Sequence, residues 1–308
     1  KREVLAHEFH RLGFPDVFPV SAEHRVGIDD LLSHVTAGFP AREEPEEAAE
    51  PAPAPKRPIR IAIIGRPNVG KSTLLNALVG EERSIVSPIA GTTRDAVDET
   101  VDHGGAQFTF VDTAGIRRKG KTKLMAEKLS VVMARKHIES SHVVLMVLDA
   151  TEGVLGADAT IAGYAHEEGR GVILVVNKWD AVRGASKKTF TQQIKDELKF
   201  LDYAPILFVS AKQARGTGDI FGKIAEVYQS ASKRVTTGEL NRFVASLEFD
   251  VDIKIYYITQ ASVRPPTFVV FTDKSRNMHF STERFLINRL RRQFGFEGTP
   301  VVIRTKRR

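Results

Sequence analysis

One loop sets the expectation for the whole architecture: residues 65–72 read Gly65-Arg66-Pro67-Asn68-Val69-Gly70-Lys71-Ser72. The loop matches the phosphate-binding pattern G-x-x-x-x-G-K-[ST] at every fixed position. Its glycines allow a tight curl that turns backbone N–H groups toward phosphate oxygens. In this pattern the lysine reaches the β- and γ-phosphates, and the serine hydroxyl can ligate Mg²⁺. The apolar run at 59–64 predicts a buried strand before the loop, and the periodicity of 73–79 predicts a helix after it.

A second motif indicates which nucleotide is bound. Residues 177–180 read Asn177-Lys178-Trp179-Asp180, directly after the apolar run 171–176. A carboxylate at the last position can accept both the N1–H and the amine N–H of guanine. Adenine offers no such pair of donors, and a buried carboxylate left unpaired is costly. We expect Asn177 to brace the loop and the Lys178 stem to lie along the base. The nucleotide is therefore predicted to be GTP.

Three further segments follow the order of a GTP-binding domain. Asp112-Thr113-Ala114-Gly115 comes after a strand-like run, and this D-x-x-G loop would place a carboxylate near Mg²⁺ and a glycine N–H near the γ-phosphate. The segment 90–95 contains Thr92 and Thr93, one of which could complete the Mg²⁺ shell while the γ-phosphate is present. The choice between the two stays open, and we favour Thr93. Ser210-Ala211-Lys212, after a strand at 205–209, can support the guanine from its far side.

In order and wording, these motifs resemble those of the Der (EngA) family of bacterial ribosome-assembly GTPases. GRPNVGKS, GTTRD, DTAGIRRK and NKWD are similar to the family's second G domain. The C-terminal K-I-x-Y-x-T-Q, RPPTF and GTPV resemble its KH-like domain. The resemblance implies a GTP-binding and GTP-hydrolysing switch in assembly of the large (50S) ribosomal subunit. It also implies Mg²⁺ as cofactor, with that subunit and its rRNA as partners.

Two other functions stay open. One is a tRNA-modification GTPase, a family that has a similar GTTRD segment but a functional C-terminal cysteine, whereas this chain has no cysteine. The other is a nucleotide-inert scaffold that binds RNA or protein.

The resemblance also implies a hydrolysis mechanism that differs from that of Ras. Ras-like enzymes orient the attacking water with a glutamine just after D-x-x-G, and here that position is Ile116. The family instead implies a monovalent cation, K⁺, near the phosphates, with Asn68 as its side-chain ligand. Such a cation supplies positive charge where charge develops in the transition state. We expect slow, K⁺-stimulated hydrolysis.

The predicted site is then a defined set of residues. The predicted catalytic residues are Lys71, Thr93, Asp112 and Gly115. The predicted Mg²⁺ ligands are Ser72, Thr93 and, through water, Asp112. The residues predicted to bind the nucleotide are Gly65, Arg66, Pro67, Asn68, Val69, Gly70, Lys71, Ser72, Thr73, Asp112, Thr113, Ala114, Gly115, Ile116, Asn177, Lys178, Trp179, Asp180, Ser210, Ala211 and Lys212.

The domain organisation follows from a linker and an internal echo. Residues 41–58 are rich in Pro and Glu and predict an extended spacer. Before it, 20–29 echo 209–220, since both have a Val-Ser-Ala loop and then an acidic helix start. We therefore expect residues 1–40 to be the C-terminal remnant of a first G domain. Residues 59–232 are expected to form the second G domain, an α/β P-loop NTPase fold with a doubly wound, mostly parallel sheet.

Residues 233–308 are expected to form an α+β KH-like domain in the order α-β-β-α-β. A helix over 284–292 should turn Phe285, Leu286 and Leu290 toward a core. The domain has no G-x-x-G loop at the KH position, so KH-type clamping of the RNA backbone is not expected. The aromatic residues of its strands are expected in the core rather than stacked on bases. These are Tyr256, Tyr257, Phe268 and Phe271.

Composition bounds the partners. The 308 residues carry a net charge of +7, and residues 231–308 alone hold 15 Lys and Arg against 7 Asp and Glu, which indicates an acidic partner such as RNA. The lack of cysteine excludes disulfides and thiolate catalysis. No apolar run approaches the ~18 residues of a membrane span. We expect a cytoplasmic monomer with no DNA and no membrane partner.

Overall fold

The computed structural model describes residues 58–81, 98–117, 135–184, 186–247, 254–273 and 278–307, together with residues 18, 20, 31, 34 and 35. The chain divides into two compact units, Lys1–Pro55 and Lys56–Arg308. In the first unit, the rings of Phe18 and His34 lie 4.7 Å apart. The predicted G-domain remnant and linker lie almost wholly outside the described residues, as do Thr92 and Thr93. The domain boundaries inferred from the sequence stay predictions.

The second unit begins with a six-stranded sheet, here called the central sheet, in the order β2-β3-β1-β4-β5-β6. Its strands are β1 (Ile59–Ile64), β2 (Glu99–His103), β3 (Ala106–Phe110), β4 (Val143–Asp149), β5 (Gly171–Asn177) and β6 (Ile206–Phe208). All neighbouring strands run parallel except β2 and β3, which form an antiparallel hairpin. The doubly wound, mostly parallel sheet that the sequence predicts is confirmed.

Helices cover both faces of the central sheet. They are α1 (Lys71–Glu81), α2 (Thr113–Arg117), α3 (Gly156–Glu167), α4 (Lys187–Glu197) and α5 (Asp219–Ser232). Side chains of α1 and α5 pack with Ile61 and Ile63 on one face, and those of α3 and α4 pack with Ala62 and Ile64 on the other. A strand buried on both sides needs apolar residues at every position, which is why β4 and β5 read as unbroken apolar runs.

The rest of the unit is a three-stranded sheet, here called the C-terminal sheet, in the order β7-β8-β9. Its elements are α6 (Thr237–Ala245), β7 (Ile255–Ser262), β8 (Thr267–Thr272), α7 (Phe280–Phe294) and β9 (Val302–Arg307). Strand β8 runs antiparallel to β7 and parallel to β9. The two helices pack on one face of this sheet, where Leu286 and Leu290 of α7 meet Phe268 and Val270 of β8. The predicted α-β-β-α-β order is confirmed.

Of the five aromatic residues predicted in the core of this domain, only one is fully buried. Phe268 is fully buried as predicted, but Tyr256 is 40% and Tyr257 is 37% exposed, and Phe271 is half-buried. The core prediction is therefore wrong for both tyrosines and for Phe271. Tyr257 and Phe271 are next to the buried Ile258 and Val270, so strand alternation places both on the face away from the helices, and Tyr256 falls within the bulge between Ile255 and Tyr257. The ring of Phe285 is likewise only half-buried, with the Arg289 guanidinium 5.1 Å from its centroid.

The C-terminal sheet is joined to the central sheet through the turn before β9. The Val172 amide of β5 donates to the Gly298 carbonyl (2.7 Å), and the Gly298 amide donates to the Tyr203 carbonyl (2.9 Å). The Arg291 guanidinium of α7 lies 4.6 Å from the centroid of the Tyr203 ring and donates to the Thr299 carbonyl (2.7 Å). These bonds fix one end of the C-terminal sheet against the central sheet.

Candidate nucleotide-binding site

The predicted motifs lie at one edge of the central sheet. The glycine-rich loop follows β1, the D-x-x-G segment follows β3, the N-K-x-D segment follows β5, and the Ser-Ala-Lys segment follows β6. Because these four strands are parallel, their carboxyl ends meet at the same edge. The motifs, which are spread over 148 sequence positions from Gly65 to Lys212, are thereby brought together.

The glycine-rich loop needs both of its glycines. Gly65 has φ +142° and Gly70 has φ +99°. A Cβ on Gly65 would lie 2.5 Å from the Val147 carbonyl oxygen, and a Cβ on Gly70 would lie 2.3 Å from Nδ2 of Asn177. The loop therefore runs against its neighbours with no room for side chains, and its backbone can face a ligand closely.

Lys71 is drawn into this loop. Its ammonium donates to the carbonyls of Gly65 (2.8 Å) and Arg66 (2.6 Å). Burial, and then the nearby charge of Arg66, lower the pKa of Lys71 to about 8. A partly desolvated cation at the first turn of a helix is well suited to an anionic ligand, because the helix dipole favours negative charge at the same place.

The D-x-x-G segment contacts the first turn of α1, directly after the glycine-rich loop. The Ser72 hydroxyl donates to the Ile116 carbonyl (2.6 Å), which joins α1 to α2. One Asp112 carboxylate oxygen lies 2.6 Å from Nε2 of His137, and the Thr113 hydroxyl donates to Glu99 (3.1 Å). Ala114 is half-buried, and Gly115 is part of α2. The Ile116 side chain packs against the core of the central sheet and offers no polar group.

Asn177 connects three of the four segments. Its side-chain amide donates to the Val69 carbonyl of the glycine-rich loop (2.9 Å), and its side-chain oxygen accepts from the Ala211 amide (3.0 Å). The residue is only 2% exposed, so both bonds are made away from water. Removing either partner would leave a buried polar group unsatisfied. This single side chain holds the glycine-rich, N-K-x-D and Ser-Ala-Lys segments in one arrangement.

The remaining predicted site residues differ in their exposure. Asp180 is exposed, as are Pro67, Asn68, Thr73 and Lys212, whereas Ser210 and Ala211 are buried. The Trp179 ring packs edge-on against Phe208, with centroids 4.6 Å apart. Lys178 also makes a contact that the sequence does not predict, since its ammonium donates to the Asp149 carboxylate (2.5 Å).

Asp149 was not among the predicted site residues. It is 1% exposed at the carboxyl end of β4 and accepts from the Thr151 amide (2.9 Å) and hydroxyl (2.6 Å) as well as from Lys178. Burial by itself would raise the pKa of this carboxyl, but the hydrogen bonds from Lys178 and Thr151 outweigh it and hold the pKa below its ordinary value. An acidic residue that ends an apolar strand is the sequence signal that could have indicated it.

Arg66 is anchored by two carboxylates that sequence reasoning also missed. Its Nε donates to Asp158 (2.9 Å) and its Nη1 donates to Glu152 (2.7 Å). Asp158 is fully buried, and its other oxygen accepts from the Leu155 amide at the start of α3 (3.0 Å). The glycine-rich loop is thus tied to α3 by a desolvated ion pair, whose partners lie 92 positions apart.

Three predicted site residues adopt the left-handed backbone region. Asn68 has φ 66°, Asp112 has φ 47° and Lys178 has φ 61°. Asn and Asp tolerate this region better than other non-glycine residues, and a Lys there carries a conformational cost of roughly 1–2 kcal/mol. The glycine-rich, D-x-x-G and N-K-x-D segments therefore each hold one non-glycine residue in an unfavourable backbone region.

The oxygen ligands at this edge are compatible with Mg²⁺. Among the described residues, no group of three or more His, Asp or Glu side chains could hold a metal ion by itself. Mg²⁺ is commonly held by one or two protein oxygens together with substrate phosphates, and the Ser72 hydroxyl and the Asp112 carboxylate supply such oxygens. Thr93, the third predicted ligand, lies outside the described residues.

None of the helices formed by described residues has the length and apolar character to cross a membrane.

Two family models match successive parts of this chain. Residues 60–178 match the family model for a 50S ribosome-binding GTPase, and residues 234–306 match the model for the C-terminal KH-domain-like part of EngA bacterial GTPase enzymes. The GTPase Der of Brevibacillus brevis is 46% identical over an alignment of 312 positions, gaps included, that covers 98% of this chain and 70% of that protein. The GTPase Der of a Geobacillus species is 49% identical and covers 97% and 69%. A solved structure of an Aquifex aeolicus Era variant bound to GDP.AlF4- is 26% identical, with a TM-score of 0.42, and covers 80% of this chain and 92% of that one.

Proposed function

The chain belongs to the Der family of GTPases, and on that premise we propose that it is a switch acting in assembly of the large (50S) ribosomal subunit. It binds and hydrolyses GTP, and it is similar to ribosome-binding GTPases. The observation that carries the proposal is the buried Asn177 amide, which joins the glycine-rich, N-K-x-D and Ser-Ala-Lys segments into one site. A ligand shifts a conformational equilibrium toward the state that it binds better, so GTP and GDP can favour different arrangements of these connected loops.

The proposed roles follow the geometry. The backbone of residues 65–72 and the Lys71 ammonium bind the phosphates, with the ammonium exchanging its bonds to two loop carbonyls for bonds to phosphate oxygens. Asp180 accepts from the guanine edge, and Lys178, held by Asp149, lies beside the base. Ser72 and Thr93 would hold Mg²⁺, with Asp112 acting through water. When bound, Mg²⁺ neutralises the charge that develops on the transferred phosphoryl group.

We further propose that K⁺ supports hydrolysis through Asn68. The supporting observation is that Ile116 packs into the core and leaves no side chain at that position to orient a water. A cation near the phosphates would supply the missing stabilisation. GTP hydrolysis should be slow, and faster in K⁺ than in Na⁺. Asn68→Ala should bring the rate in K⁺ down to the rate in Na⁺. Equal rates for the unchanged protein in the two salts would contradict this role.

The large subunit and its rRNA are the proposed partners. The support is the KH-like match at 234–306 and the excess of Lys and Arg in residues 231–308. The test is co-sedimentation with purified large subunits in GDP or in a non-hydrolysable GTP analogue, at low and at moderate salt. We expect binding that needs the analogue and survives moderate salt, and Lys71→Ala should abolish the effect of the analogue. Binding that ignores the nucleotide and vanishes with salt would instead indicate a scaffold with an electrostatic anchor.

The proposed organisation is a second G domain at 59–232 followed by a KH-like domain at 233–308, in a cytoplasmic monomer with no DNA or membrane partner. Size-exclusion chromatography with light scattering tests the monomer, and a dimer at micromolar concentration would contradict it.

A further inference from the structure

The C-terminal sheet has a face that its helices do not cover, and this face carries two stacked aromatic rings. The rings of Tyr257 and Phe271 lie 4.1 Å apart between centroids and 13° from parallel. They are directly opposite each other in the β7–β8 ladder, as are Thr259 and Val269. Directly opposite residues share a face of the sheet. Phe268 and Val270, which alternate with them along β8, point the other way into the core.

Two cations extend the same face on β9. Arg304 is opposite Val269 and Lys306 is opposite Phe271, and both β9 residues are exposed. We call this surface the open face and define it by Tyr257, Thr259, Val269, Phe271, Arg304 and Lys306. The carboxylate at its end, Asp273, accepts a hydrogen bond from the Lys254 amide (3.1 Å). The open face thus combines flat aromatic surface with positive charge.

This combination matches the chemistry of an unpaired nucleotide. Bases stack on aromatic rings whatever their sequence, and phosphates pair with Arg and Lys. Tyr257 is 37% exposed and lies on β7, an edge strand, so a base can extend the stack on that side. Bases in a duplex are already stacked on each other and cannot do this. The positive charge of β9 also favours a polyanion over a neutral peptide.

We propose that the open face binds a single-stranded segment of RNA, with bases stacked on the Tyr257–Phe271 pair and phosphates paired with Arg304 and Lys306. The inference rests on the proposed function, in which rRNA is a partner, and adds the surface and the class of ligand. It places the contact on the side of the sheet away from α6 and α7.

The first test removes the aromatic surface and keeps the apolar volume. The full chain, loaded with GDP, is titrated into a fluorescein-labelled oligouridylate of about a dozen nucleotides, a length within the range that single-strand binding modules cover. Tyr257→Leu should weaken binding by about 5- to 150-fold, the range measured for losing one stacked base. The matched control is Phe280→Leu, because Phe280 is 72% exposed at the start of α7, away from the open face. Unchanged melting and GDP binding show that each variant is folded. Equal loss in the two variants would overturn the proposal.

The second test concerns the charges. Replacing both Arg304 and Lys306 by Gln should lower the slope of log affinity against log salt by about 1.4, since each phosphate contact to a single strand contributes about 0.7. The control pair is Arg284→Gln with Arg292→Gln, two cations of α7 on the other side of the sheet. An equal change of slope in the control pair would mean that the charge acts without regard to surface, and would overturn the assignment.

The third test separates this inference from the proposed function. Large-subunit co-sedimentation is repeated with Tyr257→Leu. If the unchanged chain sediments and the variant sediments equally well, the open face is not the contact, although the assembly role stands. If the unchanged chain does not sediment while it still binds the oligouridylate through Tyr257, the assembly role fails and the open face stands. Retention of Tyr257-dependent binding after nuclease digestion of the RNA would indicate a protein partner and overturn the proposal.

Discussion

The central sheet and the C-terminal sheet bury their strands differently. The central sheet is covered by helices on both faces, and its candidate site lies at an edge, where loops leave the carboxyl ends of β1, β3, β5 and β6. The C-terminal sheet is covered on one face by α6 and α7, and its candidate site is the other face.

The difference decides how a substitution acts. Apart from Asp149 and Asn177, which end β4 and β5 at the site, residues inside the central sheet affect the nucleotide site only through folding, since both strand faces are covered by helices. Residues on the open face contribute little to folding, because one side of each is already in water. We therefore expect core substitutions to lower mainly the stability, and substitutions at the site edge or on the open face to lower mainly the binding of a ligand. The following substitutions test this difference.

The largest effect is expected in the core of the central sheet. Leu145 of β4 is fully buried, and Leu145→Ala should lower the free energy of unfolding by about 2–5 kcal/mol. The matched variant is Val269→Ala on the open face, where a partly exposed side chain should cost less than about 1 kcal/mol. Urea unfolding followed by circular dichroism measures both. Similar losses would mean that the open face is buried in the folded protein.

The next effect concerns the edge of the central sheet. Lys71→Ala removes the ammonium that would face the phosphates, and GTP turnover should fall by about 100- to 1,000-fold, as for loss of one preorganised charge-stabilising group. Single-turnover hydrolysis measures this loss. Binding of the oligouridylate in GDP should stay within about twofold, because the open face belongs to the other sheet. A similar loss of GTP turnover and of oligouridylate binding would contradict the expectation that the edge of the central sheet and the open face act independently.

A smaller effect is expected from the anchor of Lys178. Asp149→Asn keeps a similar shape and an acceptor for Thr151 but removes the charge that pairs with Lys178, and the affinity for GDP should fall about tenfold, or ~1.4 kcal/mol. Thr151→Val is the matched control, since it leaves the ion pair in place, and should change the affinity less than about threefold. Fluorescent GDP titration measures both variants. An unchanged affinity in Asp149→Asn would remove Asp149 from the site.

The smallest effect is a dependence on pH. The pKa of Lys71 is about 8 in the nucleotide-free protein, so the ammonium is charged below that pH and must take up a proton to bind phosphates above it. Affinity for GDP should be level below about pH 8 and then decrease by at most about tenfold per pH unit. The stability of the nucleotide-free protein depends on pH in the opposite direction. The unfolded chain holds more protons between about pH 8 and the ordinary lysine pKa, so stability rises with pH there.

Titrations from about pH 7 to 9.5, in two buffers of different ionisation enthalpy, measure the affinity and the proton uptake together. Lys71→Gln should lose the decrease. A decrease of the same size in that variant would assign the titration to another group.

Sequence reasoning succeeded where local pattern and chain order carry the information. The apolar runs at 59–64 and 171–176 and the glycine-rich loop predict the central sheet, and the order of the four segments predicts which loops share an edge. Sequence reasoning missed Asp149 and Asp158, because each pairs with a residue distant in the chain, Lys178 or Arg66, and the partners meet only after folding. Tyr257 was wrongly predicted to lie in the core for a different reason. Its aromatic character suggested a core position, but side chains alternate between the two faces of a strand, and Tyr257 is next to the buried Ile258.

The three strained residues of the nucleotide loops have a consequence for how this protein can change over time. Glycine at Asn68, Asp112 or Lys178 would remove an unfavourable backbone conformation and would also remove the side chain proposed for cation, Mg²⁺ or base binding. Any gain in stability from such a glycine would come with a loss of binding chemistry, the usual conflict between stability and activity at a functional site. At these three positions backbone stability and GTP turnover therefore oppose each other, and compatible stabilising changes lie elsewhere in the chain.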